Sequence, residues 1–491
     1  MNFKLSDCKN RAHADALILP FWKTPEGVEC ALKSCEWTPP RLSQLLALQD
    51  FKGKQGETFY FFDEQLSEKR LILLGLGPKE KISSEILRCS YASLIKLCMT
   101  KRWSILNIPL PGIDTMSLEE VLVGISEGIL LTNYQFDAPK KKEEDQSCLV
   151  NTINWIGIAE KELKTLNQVS MISQGINLTR NLVNGNADDV TPEYLKNCAE
   201  ELTQTYPELK ATIFDKTRLQ KENLDLLLAV SRGSDVEPYL IILEYKGDPS
   251  SSKHTILVGK GVTYDTGGLN LKPTGSMEMM KCDMAGAAVC LGAMQAVAAL
   301  KLKVNFTIVI PTTENGIDAK SFKPGDVYRS YSGKTVEVTN TDAEGRLILA
   351  DALSYASKNL SPTCLIDIAT LTGAIDIALG VEASGLMSTC DDLAASLLRA
   401  GEVTAERLWR MPLFEEYKER LKSDFADLKS WNGRAGSANV AAVFLNQFVG
   451  ENIPWAHLDI ASTAYTTEAK KYWPKNATGF GVRLIVNFLQ N

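Results

Sequence analysis

Apolar residues along this chain follow two rhythms. Unbroken runs such as Ala16-Leu17-Ile18-Leu19-Pro20 and Leu71-Ile72-Leu73-Leu74-Gly75 predict buried strands, whereas Ile86 to Lys101 repeats its apolar positions at helical spacing. Together they predict a small α/β domain in the first part of the chain. The segment Lys140-Lys141-Lys142-Glu143-Glu144-Asp145 has little to bury and marks a junction, with another apolar stretch, Val150 to Ala159, beyond it. The expected division is an N-terminal α/β domain over residues 1–160 and a larger domain over residues 161–491.

In the larger domain, Ile172 to Val183 and Glu193 to Thr205 read as helices. Leu226 to Ser231, Tyr239 to Tyr245, Thr255 to Gly259, Asn305 to Pro311 and Cys364 to Ala369 read as strands. This alternation predicts a central mixed sheet covered by helices. Sites in such folds form where loops leave the carboxyl ends of strands, so the residues after each strand matter most. The longest apolar run, Ala285 to Leu300, is rich in Ala and Gly and falls short of the roughly 20 residues that cross a bilayer. It predicts a buried helix rather than a membrane span.

Composition narrows the class without naming a chemistry. With 491 residues, 45% hydrophobic and 23% charged, the chain has enough apolar material for two cores. A formal net charge of −7 argues against nucleic acid as the main partner, because holding a polyanion needs clustered Lys and Arg. Eleven cysteines, an odd number without a CxxC pair, predict free thiols in a reducing compartment. Met1 to Asp7 lack the basic-then-apolar order of a secretory signal, so the expected location is cytoplasmic.

Candidate chemistry lies in three stretches. After the strand ending at Val258 comes Gly259-Lys260-Gly261-Val262-Thr263-Tyr264-Asp265-Thr266-Gly267-Gly268, followed by Leu271-Lys272-Pro273. The second stretch is Met280-Lys281-Cys282-Asp283-Met284-Ala285-Gly286-Ala287, and the third Asn340-Thr341-Asp342-Ala343-Glu344-Gly345-Arg346. In an extended segment Asp342 and Glu344 would point the same way. Like charges 4 Å apart repel by about 4 kcal/mol at an effective dielectric of 20, so such a group of carboxylates needs protons or cations. Taken singly, Asp-x-Glu could be a solvated turn neutralised by Arg346, and Asp283 a helix N-terminal acid.

Other chemistries find less support. Tyr264 occupies the third glycine position of a dinucleotide-binding GxGxxG, and Tyr328 the first glycine position of a P-loop ending in Gly333-Lys334-Thr335, which reads as a hairpin turn. The three histidines, His13, His254 and His457, have no HExxH spacing, and His457 reads as a core residue hydrogen-bonded to its surroundings. No GxSxG elbow is present, and Cys282 reads as a small buried residue.

The three stretches, in this order, resemble the leucyl aminopeptidase family of dinuclear zinc exopeptidases. The similarity continues through Ala369-Thr370-Leu371-Thr372-Gly373-Ala374 and Trp455 to Ala461, and runs from about Leu178 to near the C-terminus. It implies a C-terminal catalytic domain, and that Asp265 and Glu344 bridge two divalent ions (Zn or Mn), with Lys260 and Asp283 completing one shell and Asp342 the other. It further implies that Lys272 stabilises the oxyanion, that Arg346 holds a bicarbonate acting as proton shuttle, and that Met280, Thr370, Leu371 and Gly373 line the pocket for the first side chain. Substrates would be peptides with a free N-terminus, and the assembly a homohexamer. Tyr264 and Thr266 stand where the family often has Phe and Ser, and Asn184-Gly185-Asn186-Ala187-Asp188 replaces an expected proline-bearing segment. The rival readings are a two-metal hydrolase of phosphoesters and a DNA-binding or regulatory scaffold of the same fold.

Overall fold

The computed structural model describes residues 1–491 except 33–41, 43–45, 47–49 and 139–147. The charged junction Lys140 to Asp145 lies outside the described residues. Two compact units are present: Met1–Ser173 with Glu468–Lys475, and Gln174–Thr467 with Asn476–Asn491.

In the first unit the sheet runs Asn2–Ser6, Thr152–Ile156, Ile105–Pro109, Ala16–Thr24, Arg70–Pro78, Thr58–Phe62, with Gly27–Cys30 paired to Ala16–Thr24. The two apolar runs read as strands form its centre and pair in parallel, Leu17 opposite Leu71. Helix Ser84–Lys101 is started by the Ser83 hydroxyl, which accepts from the Ile86 amide, and helix Leu118–Thr132 by a capping box between Ser117 and Glu120.

The second unit has a mixed sheet ordered Leu408–Arg410, Ser384–Ser388, Trp455–Asp459, Cys364–Ala369, Thr255–Gly259, Asn305–Asn315, Tyr239–Lys246, Leu209–Phe214. Its four middle strands are parallel, and Ile256, Leu257 and Val258 are fully buried between helices. The α/β character and the central mixed sheet are those expected. One predicted strand is wrong: Asp225–Ser231 is a helix.

Helix Ala285–Leu300 is buried along most of its length, and among the described residues no helix is long and apolar enough to cross a membrane. Small residues let this helix lie directly on the sheet. A Cβ on Gly286 would stand 2.2 Å from the Ile368 carbonyl, a separation no side chain could tolerate. This approach lets the Ala287 amide donate to the Lys260 carbonyl at 2.9 Å while the Lys260 amide donates to the Ile368 carbonyl at 3.1 Å. The helix start, and Asp283 just before it, are thereby pinned beside the end of the central strand.

Candidate metal centre

Lys260 is the residue where the strand Thr255–Gly259 breaks before the short strand Gly261–Asp265. Its Nζ is buried, 2.8 and 2.7 Å from the two Asp283 oxygens, 2.9 Å from Glu344 Oε1 and 3.0 Å from the Thr370 carbonyl. Glycine at 345 makes room for it, since a Cβ there would lie 2.4 Å from Lys260 Cε. Glu344 is the first residue of helix Glu344–Asn359, so Asp342 and Glu344 flank a turn into a helix instead of lying on an extended segment.

Asp265 ends its strand with Oδ2 2.7 Å from Lys272 Nζ, and Oδ1 accepts from the Gly267 amide and from Asn315 Nδ2, each at 2.8 Å. Lys272 Nζ also lies 2.6 Å from Asp342 Oδ1. Thus Lys260, Asp265, Lys272, Asp283, Asp342 and Glu344 form one connected cluster at the carboxyl ends of the central strands. Oxygens of Asp265, Asp342 and Glu344 come within 4.8 Å of one another, while Asp283 joins the group through Lys260.

Four carboxylates therefore face two lysines in a largely buried space. Burial raises the pKa of Asp283, Asp265 and Asp342, and neighbouring carboxylates push in the same direction against the pull of the lysines. For Lys260 burial acts to lower the pKa, but Asp283, Glu344 and Asp265 outweigh it and hold the amine above the usual lysine value. Lys272 is raised in the same way, burial being overcome by Asp265, Glu344 and Asp342. Glu344 Oε2 is buried with no hydrogen-bond partner. An acceptor without a donor, in a cluster short of positive charge, fits divalent cations held by oxygen with one lysine nitrogen.

Arg346, two residues after Glu344 in the same helix, is buried and donates from Nη1 to the Ser430 carbonyl at 2.8 Å. Burial lowers its pKa to about 10, with Glu344 and Asp459 opposing, so it stays charged at neutral pH. Thr370 leaves the strand Cys364–Ala369 with its hydroxyl donating to Asp283 Oδ1 at 2.8 Å. Met280 opens a short turn and accepts from the Asp283 amide at 3.3 Å, Leu371 is half-buried, and Gly373 is exposed at the start of helix Gly373–Leu379. His457 is a core residue: its Nδ1 is 2.5 Å from Asp367 Oδ1, while Asp367 Oδ2 accepts from Trp455 Nε1 at 2.8 Å.

Two supporting residues escaped the sequence reading. Asn315 holds Asp265 and also donates to the Thr341 carbonyl at 3.1 Å, and the Thr341 hydroxyl donates to the Gly267 carbonyl at 2.6 Å. The available signal was weak: Asn315 stands beyond the polar stretch Thr312-Thr313-Glu314 that follows the apolar run, and only as the last residue of the strand Asn305–Asn315 does its amide need a buried partner.

Comparison with known proteins gives a consistent result. The model of the cytosol aminopeptidase family, catalytic domain, matches residues 177–486, and that of the cytosol aminopeptidase family, N-terminal domain, matches residues 33–143. The chain is 58% identical over 495 residues to the probable cytosol aminopeptidase of Protochlamydia amoebophila (strain UWE25), covering 100% of this chain and 99% of that one. It is 44% identical over 490 residues to the probable cytosol aminopeptidase of Chlamydia felis (strain Fe/C-56), covering 99% and 98%. Among solved structures it resembles the bottromycin maturation enzyme BotP, with TM-score 0.86 and 30% identity over 97% of this chain and 99% of that one. A structure of BotP in complex with Mn matches with the same values.

Proposed function

The chain belongs to the cytosol aminopeptidase family, and from that premise we propose that it is a two-metal aminopeptidase releasing leucine-like N-terminal residues from peptides. The observation that carries this reading is the buried cluster of four carboxylates and two lysines, with Glu344 Oε2 unpartnered. Asp265, Glu344, Lys260, Asp283 and Asp342 would hold the two ions, with Asp265 and Glu344 placed to be shared between them. Zinc and manganese both suit this donor set, and the manganese bound by BotP favours testing both. When bound, such ions supply a nucleophilic water near neutral pH and polarise the scissile carbonyl.

The chain's own residues do the rest. Lys260 must shed a proton to act as a donor, so loading the site releases protons. Lys272, held protonated by Asp265 and Asp342, is available to donate a hydrogen bond to the oxyanion as charge develops there. Arg346 supplies a fixed buried charge for a small anion such as bicarbonate, which would carry the proton to the leaving amine. Met280, Thr370, Leu371 and Gly373 are assigned to the pocket for the first side chain. An apolar pocket separates leucine from smaller side chains by about 1–3 kcal/mol for each methylene removed. The proposal also keeps the division into residues 1–160 and 161–491, a cytoplasmic location and a homohexamer.

The test is hydrolysis of leucine p-nitroanilide by wild type and Asp342→Ala, each stripped of metal and reloaded with Zn²⁺ or Mn²⁺, beside N-acetyl-leucine p-nitroanilide and p-nitrophenyl phosphate. Metal-dependent cleavage of the free-amine substrate alone, lost in the variant, is the expected result. Cleavage of the phosphate and not the anilide would replace this reading with a phosphoesterase, and cleavage of neither would leave the scaffold reading.

A further inference from the structure

Strand Trp455–Asp459 ends in a carboxylate to which the chemistry above gives no part. Asp459 is fully buried. Its Oδ1 accepts from the amides of Leu371 at 3.1 Å, Ala461 at 3.3 Å and Thr372 at 3.4 Å, and its Oδ2 accepts from the Thr372 hydroxyl at 2.6 Å. The Thr372 hydroxyl accepts in turn from the Ile375 amide at 3.3 Å and so caps helix Gly373–Leu379. One residue before this anchored pair, Thr370 touches two proposed metal donors, Lys260 through its carbonyl and Asp283 through its hydroxyl.

Four donors converge on Asp459, and the chemistry of the arrangement calls for a carboxylate. An amide offers one oxygen and turns two N–H groups toward whatever its nitrogen faces, so Asn could not satisfy both the cluster of amides and the Thr372 hydroxyl as that hydroxyl now points. Arg346 and His457 face Asp459 electrostatically, but every hydrogen bond it accepts comes from a neutral donor, and a buried acceptor held in that way is a costly means of fixing a turn unless the turn's exact placement matters. What it places is the link between Thr370, at the metal donors, and Leu371 and Gly373, assigned to the side-chain pocket.

We propose that Asp459 is a positioning residue that holds residues 370–373 in register with both the metal donors and the pocket, and that it thereby sets which N-terminal side chain is accepted. This rests on the aminopeptidase reading for its substrate but not for its metal-binding consequence. The experiment compares wild type, Asp459→Asn, Thr372→Val and Thr372→Ser. It measures kcat and KM for leucine and alanine p-nitroanilides, and the affinity of the stripped proteins for Mn²⁺ by calorimetry.

For Asp459→Asn the preference for leucine over alanine is expected to fall about 10-fold, chiefly through KM, and Mn²⁺ affinity to weaken about 10-fold, as for other residues that orient metal donors. Thr372→Val removes only the hydroxyl and should shift the same two quantities less, while Thr372→Ser restores them. An unchanged leucine-to-alanine ratio together with unchanged Mn²⁺ affinity in a folded Asp459→Asn protein overturns the proposal. If that variant does not fold, the same two readouts on Thr372→Val decide. If wild type cleaves neither anilide, the aminopeptidase reading fails by itself, and Mn²⁺ affinity alone then judges Asp459.

Discussion

Gly345 shows how little room the centre leaves at the level of single atoms. With Lys260 Cε 2.4 Å from the place of any added Cβ, Gly345→Ala must push the amine away from Glu344 and Asp283. The expected outcome is a folded protein whose Mn²⁺ affinity, read by calorimetry, is lower by about 10- to 100-fold. Unchanged affinity would mean that Lys260 is not a donor. The charged members of the cluster were legible in the sequence because acids beside glycines after a buried strand are unusual enough to draw notice. Asn315, Thr341 and Asp459 were not, since a neutral amide, a hydroxyl or one more acid at a strand end carries no local mark of the group it will hold. Their partners lie far away in sequence, Asp459 reaching Leu371 across 88 residues.

Helix Asp225–Ser231 explains why one element was misread. Leu226-Leu227-Leu228-Ala229-Val230 is apolar on every side, and a short run buried all round has no periodicity to distinguish helix from strand. Nor does it carry a local cap. The start of this helix is satisfied from another helix, where Asp351 Oδ2 accepts from the amides of Leu226 and Leu227 at 2.9 and 3.1 Å and Oδ1 from Tyr331 at 2.8 Å. The turn at Asp342 and Glu344 escaped for a related reason: the helix after it begins without a side-chain cap, its first residue being a proposed metal donor. Removing the shared cap by Asp351→Ala leaves buried amides unpaired and should cost about 2–4 kcal/mol in urea unfolding. Burial raises the Asp351 pKa from 3.8 to about 7 against the pull of those amides. Because the folded value lies above the unfolded one, the native state holds this proton more tightly. Its contribution is complete below about pH 4 and is lost as pH rises through about 7. The stability of wild type relative to Asp351→Asn should therefore fall by up to about 4 kcal/mol between about pH 4 and 8. A flat difference across that range would show that the carboxyl is ionised throughout.

Taken as a whole, the larger unit concentrates unbalanced negative charge at one end of its sheet, so occupancy of the centre should govern how firmly the protein resists unfolding. Adding Mn²⁺ or Zn²⁺ to stripped protein at about 100 times its Kd should stabilise the fold by about 2.7 kcal/mol per site, seen as a rise in Tm, and Glu344→Ala should abolish the rise. No shift in wild type would sink the two-metal reading regardless of activity. The fold class was readable from alternating runs, because two rhythms of apolar residues leave few ways to build a core. The strand order was not, because Trp455–Asp459 lies beside Cys364–Ala369 with Ser384–Ser388 made between them in sequence and placed outside them in space. Synthesis from the N-terminal side gives that order a further meaning. Every proposed donor from Lys260 to Glu344 leaves the ribosome before Trp455–Asp459 exists, and until it does Cys364–Ala369 is an apolar strand with one unpaired edge. The growing chain thus passes through a stage in which that edge is a template for a neighbouring strand. Strand Trp455–Asp459 is the part that covers that edge.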